Sequence, residues 1–184
     1  MPASATGDLA YTAKVGAGET VIDTRPLADC QRASLPGARC LFPAELLGPQ
    51  RELPGERDLL WLFGTLGLTG AETVLVAGDT ASGRDFVAGL LYLSGQRTVR
   101  VLEQPLSALL SSHAEATPGE ARALIRSTVF TAPMRDALWL VHPQELAVTA
   151  GESAIVAADA YTAIIRFTRH VAAGKPVPRV GWKL

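Results

Sequence analysis

Val74-Leu75-Val76-Ala77-Gly78-Asp79-Thr80-Ala81-Ser82-Gly83-Arg84 reads as a strand, a glycine-bounded loop and the start of a helix. Residues 74–77 are a short apolar run of the kind that a parallel sheet buries on both faces. The loop after such a strand is where a ligand would be met, because open α/β sheets bind at the carboxyl ends of their strands. Gly78, Gly83 and the N–H groups between them could curve into a cradle for a small anion, with Arg84 assisting. Ser82-x-x-Asp85 fits a helix-capping signal. Asp79 and Asp85 oppose an anion by Coulomb repulsion, so an anion-binding loop and a purely structural one both stand at this point.

The segments on either side alternate between the two regular periods. A β-branched run at 20–22 ends in Asp23 and suits a buried strand, and a helix-like stretch follows. Leu35-Pro36-Gly37-Ala38 is a turn signal, since proline fixes one backbone angle and glycine accepts positive φ, and 39–42 reads as a second short strand. Leu59, Leu60, Leu62, Phe63 and Leu66 recur at helical spacing, with a stop at Gly67-Leu68-Thr69-Gly70. After the quoted stretch come a helix to about Ser94 and a strand at 98–102. This alternation predicts an α/β fold, a parallel sheet with right-handed crossovers and helices on both faces.

The polar stretch 111–120, with Pro118-Gly119, reads as a linker or loop. Beyond it, 138–141 reads as a strand, His142-Pro143-Gln144-Glu145-Leu146 as a helix start, and 154–157 as another strand. Asp159 then caps a helix whose Tyr161, Ile164, Ile165, Thr168 and Val171 form one stripe, ending at Gly174 with Pro176 beyond. That helix packs on the rest of the chain by its stripe, and its Arg166 and Arg169 side is offered to an acidic partner or to solvent.

Composition removes several functional classes. The chain has 184 residues, 48% hydrophobic and 19% charged, with a net charge of −1, enough for one well-buried domain with an appended subdomain. Its charges are scattered, so nucleic acid is not an expected partner. Its apolar runs at 59–63 and 87–93 are far shorter than the ~20 residues that span a bilayer. No basic region followed by an apolar core opens the chain, which predicts a cytoplasmic protein, a processed periplasmic form having the same appearance. Two cysteines, Cys30 and Cys40, give neither a disulfide framework nor zinc spacing, and the three histidines, His113, His142 and His170, are dispersed. No metal or other cofactor is expected. Each cysteine reads as a small buried residue, with a reactive thiol as the alternative.

Asp23-Thr24-Arg25-Pro26, then Cys30, then Ser34-Leu35-Pro36-Gly37-Ala38 resembles the opening of a rhodanese-like domain, in which an Asp-x-Arg strand end precedes a His-Ile-Pro-Gly-Ala turn. The helix before Gly67-Leu68, the strand and loop at 73–84, the helix end at Gly95 and Val99-Arg100-Val101-Leu102 follow in that family's order. The resemblance covers roughly residues 8–112. It implies a rhodanese-like domain at 1–112, a linker at 113–136 and a C-terminal α/β extension at 137–184, whose 138–159 stretch faintly echoes the start of a second, truncated unit.

Rhodaneses place a catalytic cysteine first in this loop, where backbone N–H groups and a helix N-terminus stabilise the thiolate that accepts sulfur. Here the resemblance puts Gly78 at that position, or Asp79 if the alignment shifts by one. The loop matching the family active site is thus Gly78, Asp79, Thr80, Ala81, Ser82, Gly83 and Arg84, with no catalytic residue in it, while Asp23, Arg25, Pro36 and Gly37 match the structural motif. Ser34 stands in place of the usual histidine, and Glu103-Gln104-Pro105 replaces the usual acidic-Gly-Gly turn. The resemblance implies an inactive rhodanese-like module that binds a protein partner, in a regulatory or accessory role in sulfur or redox metabolism. The alternative is a sulfurtransferase using Cys30 or Cys40 as sulfur acceptor.

Overall fold

The computed structural model describes residues 9–112, 115–123, 128–139 and 154–182. Its centre is a six-stranded, all-parallel sheet of β1 (Leu9–Thr12), β2 (Thr20–Asp23), β3 (Arg39–Cys40), β4 (Thr73–Ala77), β5 (Thr98–Leu102) and β6 (Glu120–Ala121). The strand order is β1-β5-β4-β2-β3-β6, which puts the apolar run of β4 between β5 and β2. Alternate side chains go to opposite faces. Val74, Val76, Val99 and Val101 join one apolar cluster. Leu75, Ala77, Val21 and Leu102 join the other, under Leu106 of α4 (Leu106–Ser112) and the 35–38 turn. The α/β architecture with helices on both faces is as the alternation predicts.

Two helices cover the first face. In α2 (Glu56–Thr65) the buried residues include Leu59, Leu62 and Phe63, and Leu68 N–H closes the end on Phe63 O at 3.1 Å, with Gly67 at φ +79°. This is the glycine stop expected there. The second, α3 (Ala81–Leu93), is buried along its whole length from Gly83 onward. A helix is apolar all round only when something covers its outer side. Here that cover is α5 (Ala160–Ala172), started by Asp159, whose carboxylate accepts from Thr162 N at 2.8 Å. Gly89 permits the close approach, since a Cβ there would overlap Thr168 Oγ1 and Ile164 Cγ2. Rings interdigitate at Phe86–Tyr161, 4.8 Å, and Tyr92–Phe167, 6.0 Å. α5 connects β7 (Ala154–Ala157) to β8 (Arg179–Trp182), a separate parallel pair. Ile164, Phe167 and Val180 belong to the same apolar cluster as α2 and α3.

Several expectations are corrected. β1 escaped the sequence reading because only Leu9 of its four residues is fully buried. The 111–120 stretch is not a plain linker: it finishes α4, pairs Thr117 with Ser34 and begins β6 on the sheet edge. Both β6 residues are exposed, so no apolar alternation announces a strand whose pairing uses the free backbone groups of β3. β3 ends at Cys40, because Pro43 opens a 3-10 turn (Pro43–Leu46). Leu138 closes another such turn (Asp136–Leu138), and Trp139 touches Val180 by a single bridge; 140–141 and the helix start at 142–146 lie outside the described residues. Among the described residues no helix is long and apolar enough to cross a membrane.

The largest correction concerns the cysteines. Cys30, in α1 (Leu27–Arg32), and Cys40, at the end of β3, form a disulfide with a Cα–Cα distance of 5.9 Å, and both are buried. Neither is a free thiol. The 33–38 turn folds the chain back so that helix and strand end lie side by side, a proximity that pair counting and motif spacing cannot register. Gly119 lies directly over the bond, donates its N–H to Cys30 O at 2.8 Å, and has no space for a Cβ beside either sulfur.

Replacing both cysteines by alanine should lower stability by about 2–4 kcal/mol by freeing the unfolded chain, read as a drop of roughly 5–15 °C in melting temperature. Dithiothreitol should reproduce the drop in the native protein and leave the variant unmoved. Gly89→Leu should cost about 1–3 kcal/mol or more by forcing α5 off α3, seen as a lower urea midpoint.

Candidate functional site at the carboxyl ends of the strands

The loop between β4 and α3 is only three residues long, Gly78 to Thr80. Thr80, extended at φ −105° and ψ 132°, caps the helix by accepting Gly83 N on its hydroxyl at 3.2 Å. Ser82 is already inside the helix and does not cap it; the expected pairing with Asp85 is absent because the helix begins two residues earlier than that motif requires. Thr24, leaving β2, donates its hydroxyl to Ala77 O at 3.1 Å and stands where a Cβ on Gly78 would have to go. Glycine at 78 is thus a packing requirement.

The interior of the loop is taken up by the protein itself. Arg84, 5% exposed, turns back from α3 and donates to Gly78 O at 2.7 Å and to Glu103 O at 3.1 Å. Burial pulls its guanidinium below the ordinary arginine value, against the nearby charge of Asp85. Gly78 O also accepts from Leu106 N at 3.0 Å, and Asp79 accepts Ser107 N at 2.8 Å, so the loop is stitched to the first turn of α4. Arg84 therefore points two of its donors at carbonyls of the protein.

Asp23 and Arg25 form the second polar centre. Arg25 meets both Asp23 oxygens, with Nη2 to Oδ2 at 2.8 Å, and also donates to Ala33 O at 2.5 Å. Ser34 Oγ completes the set at 2.7 Å from Asp23 Oδ2. Burial pulls the Arg25 guanidinium down, and the hydrogen bonds and charge of Asp23 more than offset it, leaving it above its ordinary value. Pro36-Gly37 makes the expected turn, with Gly37 at φ +75° and Ala38 N donating to Leu35 O at 3.0 Å. The network fixes the chain between β2 and β3, next to the disulfide.

A third cluster had no signal in the sequence. Asp85, 2% exposed, accepts from Tyr11 OH at 2.9 Å and from Arg169 Nε at 2.8 Å, and its backbone oxygen accepts from Thr168 Oγ1 at 2.7 Å. Burial, then the adjoining Asp85 charge, pushes the Tyr11 phenol above its usual range. β1, α3 and α5 are latched here. Arg169 is thus ion-paired within the molecule while its side chain stays more than half exposed, and Arg166 is exposed beside it. The only signal available was the polar pair Arg84-Asp85 at the start of the otherwise apolar α3.

The loop carries no thiol, and no histidine adjoins it in sequence. His170 lies at the end of α5, its ring nitrogen 3.0 Å from Pro176 O; His113 and His142 lie outside the described residues. Among the described residues no group of acidic, histidine and cysteine side chains could hold a metal ion.

No family model and no curated protein matches the chain. Solved structures do. The chain is similar to YnjE, with a TM-score of 0.61 and 19% identity, over 79% of this chain and 36% of that one. It is also similar to a variant of EanB in complex with ergothioneine, with a TM-score of 0.60 and 13% identity over 85% and 39%. The 3-mercaptopyruvate sulfotransferase SseA from Escherichia coli, described by its rhodanese fold, gives a TM-score of 0.60 and 15% identity over 76% and 59%. The chain spans between 36% and 59% of the length of these proteins. What is shared at such identities is the fold, which is rhodanese-like.

Asp23→Ala should cost about 3–5 kcal/mol, because it leaves the buried Arg25 guanidinium without its counter-charge. Ser34→Ala should cost only about 1 kcal/mol, a single hydrogen bond. Urea denaturation of the two variants checks the ordering.

Proposed function

We propose that this chain is a catalytically inactive rhodanese-like unit that serves as a protein-binding, regulatory or accessory module. Residues 1–112 form the body of the unit, 113–136 connect it onward while lending β6 to the sheet edge, and 137–184 are an extension whose α5 covers α3 and which supplies partner specificity. The 78–84 loop corresponds to the sulfur-accepting loop of rhodaneses, with Gly78 or Asp79 where the thiolate would stand. The observation that carries this reading is Arg84 folded into that loop, hydrogen-bonded to Gly78 O and Glu103 O, with no sulfur beside it. The close fit of Thr24 against Gly78 supports it further, since a cysteine side chain there would collide with the Thr24 hydroxyl.

A setting in sulfur or redox metabolism is supported by the similar structures, among them an EanB in which ergothioneine is covalently linked with a cysteine persulfide. The rival reading, sulfur transfer through Cys30 or Cys40, needs a thiolate, and both sulfurs are consumed in a buried disulfide. That same bond favours an oxidising compartment over the cytoplasm.

With thiosulfate and cyanide, or with 3-mercaptopyruvate, turnover should equal the uncatalysed background. Intact-mass spectra after persulfide treatment should show no adduct of about 32 Da on either cysteine. Turnover comparable to an active rhodanese would overturn the proposal, and a specific adduct on Cys30 or Cys40 would establish its rival.

A further inference from the structure

Away from the strand-end loop, a cavity of about 550 Å³ opens between residues 50–56 and the C-terminal extension. We infer that it binds an organic ammonium ion, a cationic head on a small apolar body. None of residues 78–84 lines it, so this inference is independent of whether the loop is catalytic.

Two of its walls are indoles. Trp139 and Trp182 meet edge to face with ring centroids 5.8 Å apart and an interplanar angle of 72°, and Trp139 Nε1 donates to Leu93 O at 3.2 Å. The indole N–H of Trp139 is thereby spent on the main chain, and both indoles line the space. Aromatic faces carry the negative lobe of a quadrupole and attract a cation in preference to a neutral group of the same shape.

The charges around the cavity have the matching sign. Glu52, Glu56 and Asp159 contribute carboxylates, against one guanidinium, that of Arg51. Arg51 is held over the Tyr161 ring, 5.3 Å from its centroid. Asp159 is fixed by Thr162, and Glu52 by Gln50 N–H at 2.8 Å, so two of the three carboxylates cannot swing away without breaking the hydrogen bonds that hold them. An anion would meet net repulsion here. Leu53, Pro54, Leu59 and Met134 supply the apolar surface for the body of the ligand, and the volume is that of an ordinary small-molecule site.

The chain has three tryptophans, and Trp61, 43% exposed on α2, does not line the cavity. Trp61→Phe therefore leaves a protein whose fluorescence reports the Trp139–Trp182 pair. Titrated into this variant, choline should change the emission saturably with a dissociation constant in the millimolar range or tighter, and its neutral isostere 3,3-dimethyl-1-butanol should bind at least about tenfold more weakly. Glu56→Gln, an exposed change in the first turn of α2, should weaken choline roughly three- to tenfold while leaving the melting temperature in place. Equal affinity for choline and the alcohol, or no saturation with choline up to about 50 mM, would overturn the inference. So would unchanged choline binding both in Glu56→Gln and in Glu52→Gln, because the carboxylates at 52 and 56 would then play no part.

Discussion

The burial of α3 between the sheet and α5 is the constraint on which the rest of this molecule depends. A helix covered on two sides must be apolar almost all round, and from Phe86 to Leu93 the sequence of α3 has no charged side chain. The contact with α5 is close enough that residue 89 must be glycine. Polar residues survive only at the amino-terminal turn, where Arg84 and Asp85 are buried and each is given partners: carbonyls for one, Tyr11 and Arg169 for the other. Burying either without those partners would cost several kcal/mol, so the latch to β1 and α5 and the closed form of the strand-end loop are consequences of the same packing.

This coupling also fixes the form of the loop. A cradle needs outward-facing N–H groups and an accessible cation. Here Thr80 accepts one first-turn N–H, that of Gly83, the guanidinium of Arg84 is turned inward, and Asp79 is spent on α4. Each interaction is modest alone, about 1 kcal/mol net for a neutral hydrogen bond and somewhat more where a charge takes part. Together they make the loop a structural joint between β4, α3 and α4.

The sheet, its two helical faces and the C-terminal helix were legible because each leaves a local period: Val74 to Ala77 as a doubly buried strand, Leu59 to Leu66 as a stripe, Asp159 as a cap with Ile164 and Val171 on one side. What stayed hidden is non-local. The Cys30–Cys40 bond depends on a turn bringing helix and strand end together, and the Tyr11–Asp85–Arg169 cluster joins residues 74 and 84 positions apart. β6 is specified by the strand it pairs with and carries no pattern of its own. The capping residue of α3 was misplaced by two positions, Ser82 for Thr80, because both fit the residue preference and only the backbone geometry separates them. The start of the loop at Gly78 was legible but its end was not, since Gly83 lies inside α3, and the inward turn of Arg84 could not be read from a string of letters.

The shortness of β6 has a bearing on solubility. A parallel sheet ends in a row of unpaired backbone groups, which invites another molecule's strand to add on and extend the sheet into an aggregate. Here that border is two residues long and carries Glu120, paired with Arg39 at 2.5 Å, and the backbone just before it is tied at Gly119 to the main chain of Cys30. A charged, abbreviated and tethered border offers an incoming strand almost nothing to grow upon.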